Sequence, residues 1–146
     1  MTTEGLPTIS ILVVNKDSVE TLGRCLDSLF ALDYPNVHIV VQDGVSTDGS
    51  LELLRSYGDR IDLVSEKDRD QNDAFVRGLR RCTGDIVGFC WADEELLPHA
   101  ARWAVEHLGD DPAVGAIYGD FIETDAAGVG ENPCKYPEWS FERVYA

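Results

Sequence analysis

Val40-Val41-Gln42-Asp43-Gly44-Val45-Ser46-Thr47-Asp48-Gly49-Ser50 changes character half-way along. Its first part completes a β-branched run from Val37 to Val41, the pattern of a strand buried on both faces. Two glycines then permit positive φ, and a Ser/Thr/Asp cluster offers side chains that bond the amides opening a helix. The stretch therefore reads as strand, turn and helix start, with Asp48 or Ser50 capping a helix that carries Leu51, Leu54 and Tyr57 and closes at Gly58. Asp43 stands at the strand end, before the turn begins. There its carboxylate either accepts a hydrogen bond from a base N–H or a ribose hydroxyl, or serves as the Asx residue of the turn.

The same rhythm extends outward in both directions. Upstream, Ile9 to Val14 (ISILVV) predicts a buried strand. Val19, Leu22, Leu26, Leu29 and Phe30 follow as one apolar helical stripe, broken at Tyr34-Pro35-Asn36. Downstream come a third strand at Ile61 to Val64, a helix over Asp73 to Cys82, a turn at Thr83-Gly84-Asp85 and a fourth strand at Ile86 to Cys90. Pro98 opens a helix through Leu108, and Val114 to Tyr118 and Phe121 to Thr124 are expected to be further strands. Strands alternating with helices over short connections predict an α/β domain around a mostly parallel sheet.

At 146 residues the chain is expected to be a single domain over 1–146. Its 12 basic and 27 acidic residues give a net charge of −15, which repels phosphate backbones and anionic lipid and argues against nucleic-acid and membrane-surface partners. An acidic chain still accepts an anionic nucleotide when a divalent cation bridges the two. The N-terminus has no basic and apolar signal segment, and no apolar run approaches the roughly 18 residues of a spanning helix, so a cytoplasmic protein without a transmembrane segment is expected. Cys25, Cys82, Cys90 and Cys134 lie too far apart for a zinc site or a small disulfide framework and read as reduced thiols.

In open parallel sheets ligands bind beyond the carboxyl ends of the strands. Those positions are acidic in this chain: Asp43 after the second strand, Glu66 and Asp68 after the third, and Asp93, Glu94 and Glu95 after the fourth. Neither GxGxxG nor GxxxxGK[ST] is present, which removes the main support for dinucleotide-fold and P-loop readings. A hard cation such as Mn²⁺ or Mg²⁺ takes one or two carboxylates and completes its shell with phosphates and water. Asp93 at a strand end fits that role, and the other reading of Asp93 to Glu95 is a cap for the helix near Pro98.

Thr8-Ile9-Ser10-Ile11-Leu12, Cys25-Leu26-Asp27-Ser28-Leu29, Tyr34-Pro35-Asn36, the Val40 to Ser50 stretch, Thr83-Gly84-Asp85-Ile86 and Tyr118-Gly119-Asp120 resemble, in order and spacing, the family 2 glycosyltransferases of the GT-A fold. The resemblance runs from about Thr8 to Gly128, and Ser65-Glu66-Lys67-Asp68 with Asp73-Ala74 resembles one bacterial branch of that family. It implies a three-layer α/β/α fold and inverting transfer of a sugar from a nucleotide-diphosphate sugar, most often a UDP-sugar, to a glycan, lipid-linked or polysaccharide acceptor. A non-catalytic module that keeps the fold is the alternative.

By resemblance, the segment Val14, Asn15, Lys16 and Asp17 wraps the nucleotide base, Asp43 contacts uracil or ribose, and Asp73 belongs to the donor pocket. Ala92 and Asp93 fall in the metal-binding DxD motif, where Asp93, with Glu94 beside it, holds Mn²⁺ or Mg²⁺. The chain departs from the family pattern in several places: Trp91 replaces the first residue of that motif, Val14-Asn15-Lys16-Asp17 the usual Pro-Thr-Tyr-Asn, Asp70 a customary glycine and Val76 a customary asparagine. The family's catalytic base comes later than the last residue of this sequence, so no catalytic residue is assigned. Residues 8–128 are read as the nucleotide-sugar-binding core and 129–146 as a tail, the opening of an acceptor-binding half, with a homodimer as a further expectation.

Overall fold

The computed structural model describes residues 5–108, 114–125 and 127–135. The chain forms two compact units, Met1–Glu106 and His107–Ala146, each described by itself. In the first, strand β1 (Ile9–Asn15) is the hub. It pairs in parallel with β2 (Val37–Asp43), in register from Ile9↔Val37 to Asn15↔Asp43, and on its other side with β4 (Ile86–Phe89), from Ile9↔Ile86 to Leu12↔Phe89. Strand β3 (Asp62–Ser65) adds to β2 and ends at the pair Asp43↔Ser65, giving the all-parallel order β3-β2-β1-β4. The parallel mixed α/β architecture expected from the sequence is thus the one observed.

Successive side chains of a strand point to opposite faces, and both faces of β1 are covered. Ile9, Ile11 and Val13 join a buried cluster with Leu22, Cys25, Leu26 and Leu29 of helix α1 (Val19–Phe30), Leu54 of α2 (Ser50–Ser56) and Ala101 of α4 (Ala100–Leu108). Helix α3 (Gln71–Leu79) lies on the opposite face, where Gly78 brings it so close that an added Cβ would stand 3.2 Å from Gln42 Cβ and closer still to Leu12. The layers are α/β/α. Burial of Leu22, Leu26, Leu29 and Leu54, each at 2 % exposure or less, contributes about 1.5–3 kcal/mol per side chain.

Local chemistry sets the element ends. Asp70 is the N-cap of α3, accepting from the Asp73 amide at 2.9 Å, which accounts for an aspartate where the resemblance expects glycine. The helix begins at Gln71, two residues earlier than expected, because that cap lies at Asp70. Gly84 is needed where the chain turns into β4: an added Cβ would meet Ser10 N and Thr8 O at 2.6 Å.

In the second unit, β5 (Phe121–Thr124) pairs antiparallel with β6 (Gly130–Cys134). Asp125 closes the hairpin, its carboxylate accepting from the Ala127 and Val129 amides at 2.8 and 2.9 Å. The described residues of the expected strand Val114 to Tyr118 form no ladder, and part of the expected tail is strand β6. Trp139, Phe141 and Tyr145 of that tail lie outside the described residues.

Candidate functional site

The parallel sheet delivers the ends of β1, β2 and β4 to one edge, and the segments after β1 and β2 are bonded together there. Gly44 N donates to Asn15 O at 2.9 Å, and Lys16 Nζ donates to Gly44 O and Val45 O at 2.7 and 2.8 Å. Asp17 receives the Thr47 amide at 2.7 Å, while its own amide donates to Ser46 Oγ at 2.9 Å. The arrangement holds two non-glycine residues at positive φ, Asp17 at 50° and the β-branched Val45 at 60°. Such backbone costs on the order of 1–3 kcal/mol and persists only where the surroundings over-determine it.

Asp43 is the centre of this network and is fully buried. Its carboxylate accepts four hydrogen bonds, from Asn15 Nδ2 at 2.8 Å, Ser46 Oγ at 2.5 Å, Ser46 N at 3.1 Å and Ser65 Oγ at 2.6 Å. Burial acts to raise its pKa, but the bonds from Ser46, Ser65 and Asn15 outweigh it and hold the carboxyl below the usual range. Of the two roles open for Asp43, the structure contains the Asx turn to Ser46. Asn15 is equally buried, and its Oδ1 has no partner among the described residues, leaving one acceptor at the loop base unused there.

Asp48 or Ser50 is the cap expected for α2, but the N-cap is Gly49 and bears no side-chain bond; Asp48, one residue before it, instead bonds the first amide of each of two helices. It accepts from Ser50 N of α2 at 2.9 Å and from Val19 N of α1 at 2.8 Å, and the bonds from Ser50 and Val19 bring its pKa down to about 2. Gly49 takes the left-handed φ of 104° between them. Both helices therefore start from one carboxylate.

Asp68 is the residue that the sequence reading left off its site. It lies beyond β3, and its Oδ2 is 2.6 Å from where a Cβ on Gly44 would stand. Only glycine at 44 leaves room for that approach, and no hydrogen bond or ion pair engages the Asp68 carboxylate among the described residues. The signal available in sequence was its place after the third strand, at the same sheet edge.

At the end of β4 the chain folds into a tight turn: Glu94 N donates to Trp91 O at 2.9 Å, and Glu94 Oε2 accepts from Trp91 N at 3.0 Å. Buried thiols anchor it from behind. Cys25 Sγ lies 3.8 Å from Cys90 Sγ and donates to Trp91 O, and the Cys25 contact together with burial pushes the Cys90 thiol well above its ordinary pKa. Ala92 is buried, whereas Asp93 is exposed and has no chain partner among the described residues. Glu94, paired with Asp93 in the sequence reading, has Oε2 of its carboxylate committed to the turn. A cation here would find the open carboxylate of Asp93 and the second oxygen of Glu94, a fit for an ion completed by ligand oxygens and water rather than for a protein cage; no cluster of three ligating side chains exists among the described residues.

Two further expected site residues sit elsewhere. Val14 is a half-buried residue of β1 opposite Gln42, inside the strand rather than in the loop after it. Asp73 is bonded to Arg69 Nη2 at 3.1 Å and Arg77 Nη2 at 2.9 Å, and the Arg69 bond above all brings its carboxyl down to about 2. It lines an open cleft of about 670 Å³ on α3 with Glu66, Arg77 and Arg80.

A parallel sheet in the order β3-β2-β1-β4, flanked by helices, defines an open-sheet α/β protein whose ligand-accepting edge is the one at the carboxyl ends of the strands. This chain belongs to the glycosyl transferase family 2, which it matches over residues 10–144. It is 32 % identical over 141 residues, 92 % of its length, to the O-antigen biosynthesis protein RfbC of Myxococcus xanthus, and 28 % identical over 75 % of its length to an uncharacterized glycosyltransferase of Nostoc. The chain spans 11 % and 35 % of those relatives' own lengths. Among solved structures it is similar to a mannosyltransferase of Pyrobaculum calidifontis in complex with GDP-Man and Mn²⁺, with a TM-score of 0.70 and 29 % identity over 77 % of this chain and 35 % of that one. Staphylococcus aureus TarS in complex with UDP shares the fold at a TM-score of 0.61 and 21 % identity, over 69 % of this chain and 32 % of that one. Among the described residues no helix is long and apolar enough to cross a membrane.

Proposed function

We propose that this chain carries the donor site of a glycosyltransferase that uses a nucleotide-diphosphate sugar. The observation that carries the reading is the rigid β1–β2 loop pair built on Asp43, set at the same sheet edge as the open carboxylate of Asp93. The loop pair, with Asp17 and with Asp68 over Gly44, receives the nucleoside, and Asp93 faces the diphosphate. Asn15 fixes the loops from beneath, and Asp43 both anchors them and offers its carboxylate to the nucleoside. Asp73 shapes the neighbouring cleft as an ion pair with Arg69 and Arg77.

Asp93 would hold Mn²⁺ or Mg²⁺, with the buried Ala92 beside it in the chain, and the ion would supply charge neutralisation for a diphosphate leaving group. In the reaction proposed, an acceptor hydroxyl oxygen forms a bond to the anomeric carbon as the bond to the diphosphate oxygen breaks in line, with inversion, and the hydroxyl proton passes to a general base to which no residue is assigned. The acceptor is a glycan or a lipid-linked saccharide. A UDP-sugar is the donor read from the sequence, and the GDP-Man bound by the mannosyltransferase makes the guanine nucleotide the first competitor. The four free thiols are in keeping with a cytoplasmic setting.

One observation favours a second reading, a nucleotide-sugar-binding module without turnover: with Trp91 in place of a ligating side chain and Glu94 Oε2 bonded to the Trp91 amide, Asp93 is the one carboxylate of its turn with both oxygens open among the described residues. Thermal-shift titration with UDP, GDP and dTDP, with and without Mn²⁺, tests the donor site. Stabilisation by one nucleotide that needs metal and disappears in Asp93→Ala supports it, at about 2.7 kcal/mol for a ligand at 100 times its Kd. No shift with any nucleotide at millimolar concentration overturns it. Sugar release from the bound donor, measured on the same sample, separates transferase from module.

A further inference from the structure

The carboxylate of Asp43 has about four acceptor sites, and the chain fills all of them. Three of those bonds belong to the β1–β2 loop pair. Asn15 Nδ2 also donates to Ser46 Oγ at 3.0 Å, Ser46 Oγ also accepts from the Asp17 amide, and the Ser46 amide is fixed by the Asx turn. None of the three can leave Asp43 without unpicking that loop pair. The fourth donor is different. Ser65 comes from β3, at the register pair Asp43↔Ser65, is only half-buried, and its side chain makes no other hydrogen bond among the described residues. A change of χ1 rotamer swings the Ser65 Oγ itself aside, so oxygen and proton together can leave the carboxylate without moving the backbone.

Resting on the donor-site reading above, we propose that Ser65 is a positioning residue that holds the place of the ligand. Its hydroxyl occupies the acceptor site of Asp43 Oδ2 that a nucleoside N–H or O–H takes on binding, and it rotates away as the ligand arrives. Keeping that site filled spares the empty protein a buried, unsatisfied carboxylate oxygen. The cost is affinity, because the nucleotide must displace a bond already made.

The test is Ser65→Ala, measured for unfolding temperature and for the Kd of whichever of UDP and GDP binds the wild-type chain. The two readouts are expected to move in opposite senses: a lower unfolding temperature in the empty protein, and nucleotide binding about three- to tenfold tighter, the worth of one hydrogen bond no longer displaced. Ser65→Thr keeps the hydroxyl and is expected to keep the wild-type Kd. If Ser65→Ala does not fold, Ser65→Cys carries the test, since its weaker thiol donor is expected to give a smaller gain in affinity. Base-N-methylated and dideoxyribose analogues of the same nucleotide identify the arriving donor, because the analogue that lacks it loses the advantage in Ser65→Ala. Affinity that is unchanged or weaker in a folded Ser65→Ala, while the wild type binds, overturns this inference alone. A wild-type chain that binds no nucleotide overturns the donor-site reading, and this inference with it.

Discussion

The side-chain amide of Asn15 donates to the carboxylate of Asp43 at 2.8 Å, across a register pair of the two central strands. Both residues are buried, so each depends on the other to remain satisfied. Asn15→Asp sets a second carboxylate against the first and removes a donor. It is expected to cost about 3 kcal/mol at pH 7, in the range for an unpaired buried polar group beside a charge. Urea unfolding at pH 7 and pH 5 checks this, with part of the loss recovered at the lower pH as the pair takes up a shared proton.

Acid is expected to weaken the wild-type fold in a defined window. Asp43, Asp48 and Asp73 are all held below their ordinary pKa in the folded chain, the latter two at about 2. The unfolded chain then binds more protons than the folded one as pH falls. The stability these groups contribute is fully present above the ordinary carboxylate range of about 4 and is lost progressively as pH falls toward 2. Unfolding temperature followed from pH 6 to pH 2 is expected to drop mainly below pH 4, and Asp48→Asn, which keeps an acceptor oxygen but removes the titrating charge, is expected to flatten that drop.

The frame of the first unit was legible because its strands are β-branched runs and its helices carry single apolar stripes. The turn after Asp43 was legible for a similar reason, since glycine and short polar side chains at fixed spacing constrain the backbone locally. Hydrogen-bond partners were not. The commitment of Glu94 to Trp91 N, and of Asp73 to two arginines, depends on side-chain geometry that residue type does not determine. Asp68 was legible as an acidic residue at the sheet edge but was given no site role, because its approach to Gly44 joins the loops after β2 and β3, which spacing along the chain cannot reveal. Strand β6 contains Gly130 and Pro133, residues that argue against a strand unless it is short and at an edge, as it is here.

The two close-packed glycines are expected to differ in their tolerance of a methyl group. At Gly84 an added Cβ meets backbone atoms at 2.6 Å, and backbone cannot step aside. At Gly78 the nearest neighbour is the end of the Leu12 side chain, which can change rotamer. Gly78→Ala is expected to cost about 1–3 kcal/mol and Gly84→Ala more than that, read as urea midpoints with unchanged slope.

Within the Trp91–Glu94 turn, neighbouring carboxylates are expected to separate by role. Asp93→Ala is expected to abolish the increment that Mn²⁺ adds to nucleotide binding while leaving the unfolding temperature of the empty protein near wild type. Glu94→Ala removes the acceptor of Trp91 N and is expected to lower that temperature while the Mn²⁺ increment persists. Isothermal titration with and without Mn²⁺, paired with thermal unfolding, reads both.

β1 is synthesised first, yet one of its neighbours arrives late. Ile9 pairs with Ile86, 77 residues further on, after the chain has travelled out to β3 and back. At a translation rate of roughly 5–20 residues per second, the hub strand waits about 4–15 seconds for that partner. Through that interval one edge of ISILVV is a template for any other extended chain nearby. The yield of folded protein is therefore set partly on the ribosome, and slower translation between Asn36 and Asp85 lengthens the exposure without changing any contact of the finished molecule.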